Sequence, residues 1–276
     1  MFNRLRRRRV PDAIKGTRFL TDGEKRSLMC NWPHDVQQRA LTIARMLRPF
    51  GVTNARKVRV GGDEDGGYVM LDDFRGVETA FSLGVGPNVD WDHAIAERGI
   101  EVHQFDHTVD GPPRPHEKFR FHKRKITPAK TDDSDDLVSM LDHAITHRPA
   151  SSLLKIDIEN AEWEVFARTN QDVFNKFSQI LCEFHAFEYF HEDWHYESAL
   201  QGIHNLKRQF EVVHIHANNS SGVVFINDAP LPFVLEVTLA NRSRYDTRPS
   251  QETYPTEFDR PNDGRKPDYD LGRFEI

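Results

Sequence analysis

Two apolar runs that stop abruptly at small or acidic residues constrain the fold more than any other feature. The first reads Phe81-Ser82-Leu83-Gly84-Val85-Gly86-Pro87-Asn88, and the second Leu153-Leu154-Lys155-Ile156-Asp157-Ile158-Glu159-Asn160-Ala161-Glu162-Trp163. Buried strands of an α/β sheet end in this way, where the chain turns from the sheet rim into a helix. Ligands of such folds sit at that rim. Asp106 lies about 20 positions beyond the glycines, at the tip of the next strand-like segment, Ile100 to Asp106. This spacing suits a nucleoside-binding βαβ unit.

Strand and helix alternate through the middle of the chain. Strands are expected at Thr79 to Val85, Glu101 to Asp106, Ser152 to Ile158, Gln179 to Phe184, Val212 to Ala217, Val223 to Asn227 and Phe233 to Thr238. Helices are expected at Asp90 to Arg98, Asp135 to His147, from Glu162 to Arg168, and at Glu197 to Phe210, with an amphipathic helix at Val36 to Leu47 ahead of them. The last three strands follow one another too closely for crossover helices, so at least one pair must be antiparallel. The expected architecture is α/β and Rossmann-like: a mostly parallel seven-stranded sheet closed by an antiparallel hairpin, with helices on both faces. Lys57 to Val60 and Tyr68 to Leu71 read as short strands around the turn-forming stretch Gly61 to Gly67. Gly111 to Lys118, rich in proline, reads as a loop.

A chain of 276 residues with 38% hydrophobic and 29% charged residues can bury one substantial core. Its net charge of -6 gives no global reason to expect nucleic acid as a partner. No apolar run approaches the roughly 20 residues that span a bilayer. Residues 1–30 read as a basic flexible arm, 31–240 as a single domain, and 241–276 as a proline- and charge-rich tail packed on the surface or partly mobile. Five arginines between Arg4 and Arg9 offer a peripheral contact with anionic membrane, or simply a solvated end. Only two cysteines occur, Cys30 and Cys182, so a reducing cytoplasm is expected rather than a disulfide framework.

Asp157, Glu183 and His185 are the constellation expected to carry chemistry. Asp157 ends one strand, and Glu183 and His185, two apart and so on one face, end the next. Adjacent strand ends lie only about 5 Å apart. The three could bind a divalent cation, with magnesium or manganese suited to mixed oxygen and nitrogen ligands, or His185 could act as a general base oriented by the carboxylates. A satisfied polar pair at a strand end is the plain alternative for Glu183 and His185. His216, with Asn218 and Asn219, could line a substrate or serve structural hydrogen bonds. Glu159 and Glu162 are explained by a helix start, where carboxylates meet the positive end of the dipole. His191-Glu192-Asp193-Trp194-His195 matches the HExxH zinc-hydrolase pattern, which requires both histidines on one face of a continuous helix. With 14 histidines in the chain, coincidence also produces it. Phe187, Tyr189, Phe190 and Trp194 could present flat faces to a sugar ring or pack the core.

Taken in order and spacing, these segments resemble the FkbM-like group of S-adenosylmethionine-dependent methyltransferases. The likeness rests on Asp65-Gly66-Gly67-Tyr68-Val69, on Ser82-Leu83-Gly84-Val85-Gly86 followed by Phe105-Asp106-His107-Thr108, on Lys155-Ile156-Asp157-Ile158-Glu159 with Glu162, and on Glu183 with His185. His216-Ala217-Asn218-Asn219 and Leu235-Glu236-Val237-Thr238 extend it. The resemblance implies a class I fold, O-methylation of a hydroxyl on a sugar, glycan or related natural product, and S-adenosylmethionine as methyl donor. It implies a cofactor set of Asp65, Gly66, Gly67, Tyr68, Ser82, Gly84, Gly86, Asn88, Asp106 and His107. Three positions depart from the pattern: Ser82 stands where an acid is usual, Asn88 where a third glycine is, and Asn160 where the acidic motif continues with glycine. Those departures leave a non-catalytic nucleoside or glycan binder on a decayed scaffold as an alternative, beside the zinc hydrolase.

Overall fold

The computed structural model describes residues 20–144 and 151–276. Seven strands form the central sheet: β1 (Val77–Leu83), β2 (Glu101–Phe105), β3 (Phe119–His122), β4 (Ser151–Ile156), β5 (Phe177–Phe184), β6 (Phe210–Ala217) and β7 (Leu235–Asn241). Their spatial order is β3-β2-β1-β4-β5-β7-β6, with β7 antiparallel to both its neighbours and every other pair parallel. This is the mostly parallel, doubly wound, Rossmann-like arrangement expected from the sequence. Its order reverses between β1 and β4, where such sheets open a crevice beyond the carboxyl ends of the strands.

Burial follows the two-residue period of the strands. Phe81, Leu83, Leu154, Ile156, Ile180, Cys182 and Phe184 face one layer, with helices α1 (Asp22–Cys30), α2 (His34–Met46), α4 (Leu137–Ala144), α5 (Glu162–Arg168), α6 (Gln171–Phe174) and α7 (Asp193–Lys207). Ala80, Val102, Leu153 and Leu181 face the other, against α3 (Asp90–Ala96) and the antiparallel pair Lys57–Val60 with Tyr68–Leu71. Trp163 on α5 stacks on Phe184 of β5 at 4.0 Å between ring centroids, so the first turn of that helix is pinned to the sheet rim. Among the described residues, no helix is long and apolar enough to cross a membrane.

Several expectations are corrected. The seventh strand is β3, not Val223 to Asn227, which pairs with Ala229–Pro232 in a separate hairpin. Phe119-Arg120-Phe121-His122 lacks a continuous apolar run because an edge strand is only half covered, so periodicity does not announce it. The arm expected over residues 1–30 gives way at Asp22 to α1, whose Thr21 and Glu24 form a reciprocal capping box; Arg4 to Arg9 lie outside the described residues. Nor does the tail merely lie on the surface. Tyr254, Leu271 and Phe274 enter the main core, and Asp259 and Asp268 bond His214 and His216 of β6.

Candidate functional site

The crevice at the β1/β4 switch is open, a cleft of about 820 Å³. That volume lies within the roughly 300–1,000 Å³ of small-molecule sites. Gly84, Val85, Gly86, Pro87 and Asn88 form one wall, with Asp65, Gly66, Tyr68, Asp106 and His107 beside them; Asp157, Glu159, Glu183 and His185 form the opposite wall. Ser82, Gly67 and His216 do not line it. Ser82 is fully buried within the sheet. Gly67 packs into its turn, where an added Cβ would lie 2.0 Å from the Gly62 carbonyl oxygen. His216 is held between Glu236 at 3.0 Å and Asp268 at 2.9 Å, so its role is to fasten the tail to β6 and β7. The expectation of a catalytic His216 is thereby replaced by a structural one.

The glycine loop owes its shape to two contacts. Gly84, with φ of +81°, brings β1 so close to β4 that a Cβ would lie 1.7 Å from the Asp157 carbonyl oxygen. One oxygen of Asp106 accepts the backbone N–H groups of Val85 (3.0 Å) and Gly86 (3.2 Å); the other accepts Thr108 N–H (2.7 Å) and Oγ1 (2.6 Å). Burial pushes this carboxyl up, but those four bonds outweigh it and hold its pKa below the usual value. The same four bonds occupy its acceptor positions. Asp106 is therefore first a brace for the loop, and grips a diol only by exchanging a partner, Thr108 Oγ1 being the mobile one. At Gly86 an added Cβ would meet nothing within 4 Å, so the loop faces open space.

Two departures from the resembled pattern find physical answers. Asn88 accepts the Asp90 N–H at 2.9 Å and donates to the Asp65 carbonyl, starting α3 without the third glycine. Asn160 takes a φ of +82°, the left-handed conformation a glycine would supply.

On the opposite wall the structure regroups the predicted constellation. Asp157, Glu159 and His185 each offer a ligand atom within 4.8 Å of the others. Glu183 stands apart from that group: Asn218 donates to it at 2.6 Å, and burial followed by the nearby Asp157 pushes its carboxyl well up. Glu159 was read as a helix-start carboxylate, and only its left-handed φ of +55°, invisible in the sequence, turns it toward the cleft. The fully buried Glu162 accepts from Ile158 N–H at 2.9 Å and pairs with His185 Nδ1 at 3.1 Å. Burial alone would lower the pKa of His185, but Glu162 and the carboxylates of Glu183 and Asp157 raise it to about 10. These acids demand positive charge here, as a proton on the ring or a cation beside it.

Sequence reasoning also passed over Lys155, quoted only as part of a motif. Its buried ammonium lies at 3.0 Å from the Gly84 carbonyl and 5.7 Å from the Tyr68 ring centroid, tying β4 to the glycine-loop wall of the cleft. A lysine inside an otherwise apolar run was the available signal.

The HExxH pattern does not assemble a zinc site. Helix α7 starts only at Asp193, so His191 and Glu192 precede it. His195 is buried with Nε2 against the Ala186 carbonyl at 2.9 Å, and burial lowers its pKa to about 4; His191 Nδ1 lies at 2.9 Å from the Glu188 carbonyl. Of the aromatics, Phe187 and Phe190 are core, while Tyr189 and Trp194 line the cleft, Trp194 being 43% exposed.

No protein-family model matches this chain, and no curated protein sequence does. Among solved structures, the crystal structure of methyltransferase CalO6 is similar at 13% identity and a TM-score of 0.28. The match covers 61% of this chain and 58% of that one.

Proposed function

We propose that the chain is an S-adenosylmethionine-dependent O-methyltransferase acting on a hydroxyl of a sugar, glycan or related natural product. One observation carries this reading: an open cleft at the switch point sets a glycine loop braced by Asp106 against a wall of Asp157, Glu159 and His185. The residues fit the cofactor. The loop exposes backbone at Gly86, and the acidic wall suits a cationic sulfonium. The acceptor class is drawn from the FkbM-like resemblance and from Tyr189 and Trp194 at the cleft, whose flat faces suit a sugar ring.

When bound, S-adenosylmethionine supplies an electrophilic methyl group on positively charged sulfur. The protein's part is to hold the acceptor oxygen in line with that methyl and to receive the hydroxyl proton, and such orientation supplies much of the rate. Asp157, which accepts no hydrogen bond from any described residue, would receive the proton released by the acceptor hydroxyl. Glu162 keeps His185 turned toward the same point.

The test is methyl transfer to a panel of saccharides, read by mass spectrometry. Asp157→Ala should abolish turnover while leaving affinity for S-adenosylhomocysteine nearly intact. Wild-type turnover in that variant would remove Asp157 from the role.

A further inference from the structure

We infer that Asp157, Glu159 and His185 form a site for one divalent cation of the manganese class, opening onto the cleft. The inference rests on side chains that look toward one point and meet there only at long ion-pair distances, without a hydrogen bond. Neither Asp157 nor Glu159 accepts a hydrogen bond from any described residue. His185 Nε2 has none either, lying 4.0 Å from Asp157 and 3.8 Å from Glu159, beyond hydrogen-bond range. Two ligand atoms on one octahedral ion of this size sit about 3 Å apart in cis and about 4 Å apart in trans. The two separations from His185 fall inside that span, and all three ligand atoms lie within 4.8 Å of one another.

The second observation comes from the far side of the ring. His185 is nine-tenths buried, and its Nδ1 is fixed by the wholly buried Glu162 at 3.1 Å, while Trp163 Nε1 donates to its carbonyl at 2.6 Å. A histidine with one nitrogen fixed by a carboxylate and the other presented bare is the arrangement that orients a metal ligand. Glu162 also accepts from Ile158 N–H, so the same buried carboxylate sets the loop that carries Asp157 and Glu159.

Two carboxylate oxygens and one imidazole nitrogen suit manganese better than zinc, which prefers more nitrogen or sulfur in a closed tetrahedron. Three protein ligands on a six-coordinate ion leave about three positions toward the cleft. The ion can therefore accept adjacent oxygens of the acceptor and acidify one of them. This last step rests on the proposed methyl transfer; the site itself does not. The acceptor class is sharpened accordingly to molecules with two neighbouring oxygen donors.

The experiment titrates the purified full chain with manganese alone, following the electron paramagnetic resonance signal of the free ion. One ion per chain is expected. Glu159→Ala, at a side chain 78% exposed and so harmless to folding, should weaken binding at least tenfold. Glu162→Gln should weaken it by about 10- to 100-fold through loss of ring orientation. No binding at millimolar manganese, or binding indifferent to Glu159→Ala, overturns the site. Calorimetry with S-adenosylhomocysteine on the same sample separates the two ideas. A chain that binds the nucleoside but not manganese loses the cation site and keeps the methyl-transfer reading, and the converse result does the reverse.

Discussion

Alanine at Gly84 and at Gly86 should have very different costs, although the two glycines are only two positions apart and both have positive φ, +81° and +56°. A left-handed alanine costs about 1–2 kcal/mol. Alanine also restricts the unfolded chain, which returns about 0.4–1 kcal/mol. Gly86→Ala meets no atom within 4 Å, so its net cost should be about 1 kcal/mol. At Gly84 the new Cβ would lie 1.7 Å from the Asp157 carbonyl oxygen, and the two must part to at least 3.0 Å. That opening strains the bonds from Gly84 N–H to Phe105 and from Asp157 N–H to Leu83, both 2.9 Å, that hold the strand ends together. Added to the same net left-handed cost of about 1 kcal/mol, overpacking of about 1–3 kcal/mol and about 1 kcal/mol for each of the two weakened bonds bring Gly84→Ala to roughly 4–6 kcal/mol. Urea denaturation of both variants measures the difference, and binding of S-adenosylhomocysteine should follow it, weaker in Gly84→Ala. If the two variants agree within roughly 0.5 kcal/mol, the close approach of β1 to β4 is not what defines this loop.

Other expectations follow from single side chains. His216 is disfavoured as a cation by burial, yet the hydrogen bonds it donates to Asp268 and Glu236 raise its pKa from 6.5 to about 10. Its contribution to stability is therefore complete below pH 6.5 and lost as pH rises through about 10, so His216→Gln should be less stable at pH 6 and lose less between pH 7 and 10; an unchanged pH–stability profile would refute the assignment. Asp106→Asn sets an amide donor against N–H groups on one side or the other and should cost about 2–3 kcal/mol, seen as a lower melting temperature and weaker nucleoside binding. Trp163→Phe keeps the stack on Phe184 but strips the His185 carbonyl of its donor, for about 1–3 kcal/mol by chemical denaturation. Methyl transfer should survive His191→Ala largely unchanged, and its loss would return the HExxH segment to consideration.

The sheet was legible wherever strands are covered on both faces. Leu153 to Ile156 and Ile180 to Phe184 are runs apolar except for Lys155 and Glu183, because helices pack one face and α3 with the Lys57–Leu71 hairpin the other. β3 escaped notice because an edge strand needs no such run, and the tail because its contacts are single anchors such as Tyr254 and Phe274 without a period. In the site, glycines and the offset of Asp106 marked the right loop. Which carboxylates converge was not legible, since it turns on the left-handed backbone at Glu159 and on Asn218 engaging Glu183. Two-residue spacing placed Glu183 and His185 on one face, but the strand ends at Phe184, and the alternation ends with it.

The most direct measurement is an isothermal titration of the purified chain with S-adenosylhomocysteine. The account predicts saturable binding at one site per chain, weakened by Asp106→Asn and by Gly84→Ala. No heat and no thermal stabilisation at millimolar nucleoside would contradict it.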